Sequence, residues 1–182
     1  MANAKVLLYI ATSLDGFIAR KDDDISWLDF YQVENEDYGY STFIKTVGTA
    51  IMGARTYTQS LEHPERLLKG LQTYVLSKWL FPMSSNVNVE FYSGTVQALI
   101  EKIKNESNKN IFIVGGGHVV SNFLNAGLID ELIIFVVPIL LKEGISLYSE
   151  LDKEIKLKLL EAIPYKSGIV QLHYALIKSK PE

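Results

Sequence analysis

The chain contains no cysteine among its 182 residues. That excludes disulfides, thiolate metal ligands and cysteine nucleophiles, and it fits a reducing compartment. An excess of charge of one sign is lacking as well. The formal net charge is −3, with basic and acidic residues interspersed, so the footprint of a nucleic-acid binder is missing. Nor is there a long apolar run. The first one, Val6-Leu7-Leu8-Tyr9-Ile10, is shorter than a signal-peptide core with its cleavage site and far short of a spanning helix. A soluble cytoplasmic protein with no membrane partner is the expectation. No repeat, low-complexity tract or shift in composition marks a linker. With 48% apolar residues, one domain spanning 1–182 with a full core is expected.

What is present is an alternation of short β-rich apolar runs with segments of helical period, which predicts an α/β fold. The runs at 5–12, 49–52, 73–77, 87–92, 110–114, 131–137, 156–163 and 169–176 read as strands. Segments 35–47, 55–60, 95–104 and 118–126 read as helices, with Thr95 as N-cap of the third and Gly127 ending the fourth. Only Pro164-Tyr165-Lys166-Ser167-Gly168 separates the last two strands, so an antiparallel hairpin should close one edge of the sheet. The longest irregular stretch, 13–34, is a candidate lid over a site.

Candidate chemistry gathers at the ends of strands. Ile111-Phe112-Ile113-Val114-Gly115-Gly116-Gly117-His118-Val119-Val120 joins an apolar strand, three glycines and a helix start. Glycine lets a ligand approach the main chain, and the following helix offers unpaired N–H groups and a positive dipole end to an anion. A tight turn would use the same residues. A second strand stops at Gly53 and opens a helix with Arg55 and Thr56 in its first turn, where a cation opposes the dipole unless it meets an anion. Leu76-Ser77-Lys78 again sets a hydroxyl and a cation after a strand, and Ala11-Thr12-Ser13-Leu14-Asp15-Gly16 carries the first strand into a polar turn. Carboxyl ends of strands are where open α/β sheets bind ligands.

Taken together, Gly53-Ala54-Arg55-Thr56-Tyr57, Leu76-Ser77-Lys78, Val114-Gly115-Gly116-Gly117 and the early Trp27 resemble the dihydrofolate reductase superfamily in order and spacing. Ser13-Leu14-Asp15-Gly16-Phe17-Ile18-Ala19 and Gly127-Leu128-Ile129-Asp130-Glu131-Leu132, with Pro138 and Gly144 beyond, are similar to the reductase domain of the bifunctional riboflavin-biosynthesis deaminase/reductase. The chain thus resembles that reductase in a short stand-alone form. No zinc-deaminase signature accompanies it. The resemblance implies a three-layer fold: a central, mostly parallel mixed sheet, a C-terminal antiparallel hairpin, and helices on both faces.

It also implies NADPH-dependent hydride transfer to a small heterocycle, a pteridine or a ribosylaminopyrimidine, by a homodimeric enzyme to which Tyr148, Leu151 and the C-terminal strands could contribute an apolar contact. Ala11 and Ile18 would line the nicotinamide pocket. Gly115, Gly116 and Gly117 would meet the pyrophosphate, with His118 and Val119 beside it, and the Gly115–Gly116 peptide is commonly cis in the family. Gly53, Arg55, Thr56, Leu76, Ser77 and Lys78 would hold the adenosine side, with Arg55, Ser77 and Lys78 near a 2′-phosphate. Asp15, Trp27 and Asp29 are the candidates on the catalytic side, and Leu14, Phe30 and Tyr57 on the substrate side. No metal site is expected. Two departures stand out: Ala54 occupies the position where the family often has arginine, and Phe17 the position where it often has lysine. A dihydrofolate reductase proper and a non-catalytic nucleotide-binding module are the alternatives.

Overall fold

In the computed structural model, which describes residues 4–62, 68, 70–78 and 88–177, regular elements follow one another closely. They are β1 (Val6–Ser13), β2 (Phe17–Ala19), a 3-10 turn (Ser26–Tyr31), α1 (Tyr40–Thr46), β3 (Val47–Gly53), α2 (Ala54–Glu62), β4 (Gln72–Leu76) and β5 (Val89–Tyr92). After these come α3 (Val96–Glu106), β6 (Asn110–Gly115), α4 (Gly117–Asn125), β7 (Glu131–Val137), β8 (Ile145–Ser146), β9 (Leu157–Pro164) and β10 (Val170–Leu176). Eight strands form one sheet in the order β5-β4-β3-β6-β1-β7-β10-β9. Pairings from β5 across to β7 are parallel, and β7-β10 and β10-β9 are antiparallel. The hairpin therefore lies at one edge, where the short 164–168 connection puts it.

The alternation of side chains along a strand distributes the helices over two faces. On β6, Ile111 and Ile113 pack in one core with Leu99, Ile100 and Ile103 of α3 and Val120, Phe123 and Leu124 of α4. Phe112, between them, packs with Phe43 of α1 on the other face. Tyr57 of α2 joins Met52 and Val75 on that second face. The central strands are consequently apolar on both sides.

Thr95 caps α3: its Oγ1 accepts from the Ala98 N–H at 3.3 Å. Gly127 takes a left-handed φ of +65° as α4 ends, and the Leu128 N–H returns to the Phe123 carbonyl at 3.0 Å. The helix expected over 35–47 is shorter, covering Tyr40–Thr46. Asn35, Tyr38 and Gly39 all have positive φ, and the Asp37 carboxylate accepts from the Gly39 and Ser41 N–H groups. A side chain that satisfies local backbone donors competes with the helical ladder. Segment 13–34 holds more order than its sequence signals. Its β2 pairs with β8 in a separate two-stranded sheet, a partner more than a hundred residues away that no local pattern reveals. Residue 87, at the start of one expected strand, lies outside the described residues.

Candidate cofactor site

A cavity of about 850 Å³ opens at the carboxyl ends of the parallel strands. It falls where the topology of an open sheet puts a ligand, beyond the strand ends and against the helices that follow them. Strand β1 contributes Ala11, β2 contributes Ile18, and the β3–α2 junction contributes Gly53, Arg55 and Thr56. Leu76, Ser77 and Lys78 enter from the end of β4. The β6–α4 junction supplies Gly115, Gly116, Gly117, His118 and Val119. All thirteen positions that the family resemblance attributes to a cofactor thus share one cavity wall.

Two helix starts converge there. The first turns of α2 and α4 both line the cavity, so two sets of amide donors and two positive dipole ends meet in one place. They are tied together, because the Gly116 N–H donates to Thr56 Oγ1 at 3.3 Å. Gly115 adopts φ +126°, a conformation that L side chains rarely take. Gly117 is required for packing: a Cβ there would stand 2.2 Å from the Ser146 carbonyl oxygen. The Gly115–Gly116 peptide, expected to be cis, is trans, as are all described peptide bonds. The chain turns from strand into helix here through Gly116 at φ −25° and ψ 169° instead.

Charge in the cavity is cationic but partly compensated. Arg55 Nε donates to Asp23 Oδ2 at 2.7 Å, and Arg55 Nη2 bonds the same oxygen. His118 Nδ1 lies 3.3 Å from Glu150 Oε2 on the exposed rim. Lys78 is exposed and forms no ion pair with a described residue. Glycine-bared backbone, two helix starts, hydroxyls and cations together suit a phosphorylated ligand, and the Ala11 and Ile18 end suits an apolar ring.

The model of the RibD C-terminal domain matches residues 4–171. The chain belongs to that family. A relative from Bacillus subtilis (strain 168), the uncharacterized protein YwjB, is 39% identical over 174 residues, 93% of this chain and 97% of the other. A crystal structure of a Shewanella sp. PV-4 protein assigned to riboflavin biosynthesis superposes with a TM-score of 0.88 at 28% identity, covering 98% of this chain and all of that one. Dihydrofolate reductase from Enterococcus faecalis, solved with NADP(H), superposes with a TM-score of 0.64 at 16% identity over 96% and 97% of the two chains. At that identity the likeness is one of fold.

In this RibD C-terminal domain the residues of the catalytic and substrate expectations do not gather on the same wall. Asp15 is exposed beside β1, where its carboxylate accepts from the Ser13 hydroxyl at 2.6 Å and from the Leu141 and Lys142 N–H groups at 3.1 and 2.8 Å. The Ser13 hydroxyl, helped by those backbone donors, holds the carboxyl below the usual carboxylate range. Leu14 is exposed next to it, and its N–H donates to the Ile139 carbonyl. Trp27 is buried among Phe135, Val137, Leu141 and Ile169. Asp29 accepts from Gln32 on the surface, and Phe30 is 87% exposed. Tyr57 is buried edge-on against Phe91.

Other residues reach the cavity unheralded. Asp23, Ile25 and Leu28 come from the 13–34 segment, Ser93 and Gly94 from the end of β5, and Ser146 from β8. The Ser-Gly pair following a strand is the same signal that marks Gly53 and Ser77, and it could have been read. Asp23 and Ser146 depend on long-range placement alone.

Proposed function

We propose that this RibD C-terminal domain is an NADPH-dependent reductase that delivers a hydride to a small heterocycle of the pteridine or ribosylaminopyrimidine type, as in riboflavin biosynthesis. One observation carries the proposal: four separate strand–turn segments, at Gly53–Thr56, Leu76–Lys78, Gly115–Val119 and Ala11 with Ile18, share one cavity. Family membership supports the reductase class. The fold shared with a dihydrofolate reductase that binds NADP(H) supports the cofactor.

In this reading the first turns of α2 and α4 present amide donors to the phosphates, and the glycines let those donors come close. Arg55, Ser77 and Lys78 face the 2′-phosphate, where guanidinium and ammonium groups favour NADP over NAD. Ala11 and Ile18 form an apolar wall that orients the nicotinamide and excludes water. The bound reduced nicotinamide supplies the hydride. The enzyme is a cytoplasmic homodimer, and the exposed apolar Tyr148 and Leu151, with Leu157 and Leu159 of the edge strand β9, supply its contact.

The test is a titration with NADPH and NADH, following quenching of the chain's two tryptophans and energy transfer to the reduced nicotinamide. NADPH should bind more tightly, and an Arg55→Ala/Lys78→Ala variant should lose about tenfold or more of that affinity, as expected from removing two charge-assisted contacts. No binding of either dinucleotide overturns the reading. Binding without turnover of any reducible pteridine or pyrimidine identifies a nucleotide-binding module instead. That alternative has one observation in its favour, since among the described residues the cavity's only carboxylate, Asp23, is already engaged by Arg55.

A further inference from the structure

Arg55 stands in the first turn of α2, an unfavourable place for a cation. The sequence suggests that a ligand phosphate relieves it, but within the chain itself a carboxylate already does so. Asp23 reaches across from the segment after β2, and two nitrogens of Arg55 bond one of its oxygens. Both residues line the cavity. The pair is not a surface accident of two mobile side chains. Asp23 is set in a left-handed φ of +70°, and its N–H donates to the Arg20 carbonyl at 3.1 Å. The following residue, Asp24, fixes the turn by accepting from Arg20 Nε and from the Ser26 N–H and hydroxyl. On the outer side Lys21 is anchored to Glu143 at 2.7 Å. The turn therefore presents Asp23 to Arg55 from a held backbone.

The geometry points to Asp23 as a specificity-determining residue of the adenosine subsite, one that narrows the preference for a 2′-phosphorylated dinucleotide. The inference rests on the reading of this cavity as a dinucleotide site. A 2′-phosphate directed at Arg55 must displace the Asp23 carboxylate or lie beside it, and like charges at such range repel. An unphosphorylated ribose meets no such penalty, and a carboxylate can accept its hydroxyl hydrogens. Asp23 thus offsets part of the selectivity that Arg55 and Lys78 confer. Because the Arg55 side chain is two-thirds exposed, although that of Asp23 is only 24% exposed, solvent screens the contest and its effect is modest.

The experiment is calorimetric titration of the wild-type chain, Asp23→Asn, Glu161→Gln and Asp23→Asn/Arg55→Ala with NADPH, NADH, 2′,5′-ADP and 5′-AMP. Asp23→Asn should raise the ratio of NADPH to NADH affinity about fivefold, with the same direction for 2′,5′-ADP over 5′-AMP. Glu161→Gln, which removes one exposed charge on β9 away from the cavity, should leave the ratio unchanged, and removing Arg55 should cancel the gain. An unchanged or lower ratio in Asp23→Asn, with both dinucleotides still binding, overturns the role of Asp23 alone. Failure of every nucleotide to bind any variant overturns the cavity assignment and the inference with it. Melting curves of each variant confirm that the comparison is made on folded protein.

Discussion

The wall of the cavity and the segment at 13–34 make an instructive pair. Both carry polar and aromatic residues that a sequence reader would put in an active site. Residues from the ends of β1, β3, β4 and β6 converge on one volume, whereas Leu14, Asp15, Trp27, Asp29 and Phe30 disperse into a loop clamp, a core and open surface. The difference is geometric. A parallel sheet forces the carboxyl ends of its strands to one edge, so residues there are neighbours whatever their side chains do. An irregular segment has no such constraint, and each of its side chains goes where local hydrogen bonds and burial lead it.

Trp27 tests that contrast most strongly. It is 4% exposed, and its Nε1 has no hydrogen-bond partner among the described residues, so apolar packing holds it in place. Trp27→Ala should cost about 3–5 kcal/mol, as truncation of a buried tryptophan does, and lower the melting temperature by about 10 °C. Trp27→Phe should keep most of the packing and leave both NADPH affinity and substrate KM unchanged. A raised KM with an intact melting temperature would return Trp27 to the substrate side and break the comparison.

A smaller effect is expected on the cavity wall itself. At Gly117 a Cβ would meet the Ser146 carbonyl at 2.2 Å, and the obstacle is backbone. Gly117→Ala must push β8 away from α4, at about 1–3 kcal/mol for overpacking. Because the displaced strand also lines the cavity, dinucleotide affinity should fall together with the melting temperature. Urea unfolding and the fluorescence titration, run on the same variant, measure both. If stability falls alone, β8 does not shape the ligand site.

These contrasts explain what could be read in advance. The main-sheet strands in their chain sequence and the hairpin edge follow from apolar runs, spacing and connection length, and the Thr95 cap and the Gly127 stop follow from local chemistry. The β2–β8 pair does not, because a three-residue strand has no period and its partner is distant. The shortened α1 escapes for another reason: Asp37 captures the backbone donors that a helical reading assigns to the ladder. In the site, glycine and strand-end positions were legible because backbone geometry determines them. Asp23 was not, since nothing in Lys21-Asp22-Asp23-Asp24 distinguishes the acid that faces Arg55.

The mildest test concerns Asp15, which sits at the border of the two regions. Its carboxylate ties the end of β1 to the backbone at Leu141 and Lys142, and the Ser13 hydroxyl, with those donors, lowers its pKa in the folded chain. A carboxyl with a folded pKa below its unfolded value binds fewer protons when folded. Its contribution is therefore present above the unfolded carboxylate pKa, about 3.9, and is lost as pH falls through the lower folded value. Asp15→Asn should melt slightly below the wild type at pH 7, and the gap should close as both are titrated from pH 5 towards pH 2. A gap that ignores pH would mean that the hydrogen-bond geometry, rather than the charge, holds the loop. If turnover collapses in Asp15→Asn while dinucleotide affinity and melting temperature stay near wild type, the loop clamp also serves the chemistry, and the dispersal of acids in 13–34 conceals one that substrate binding brings to the cavity.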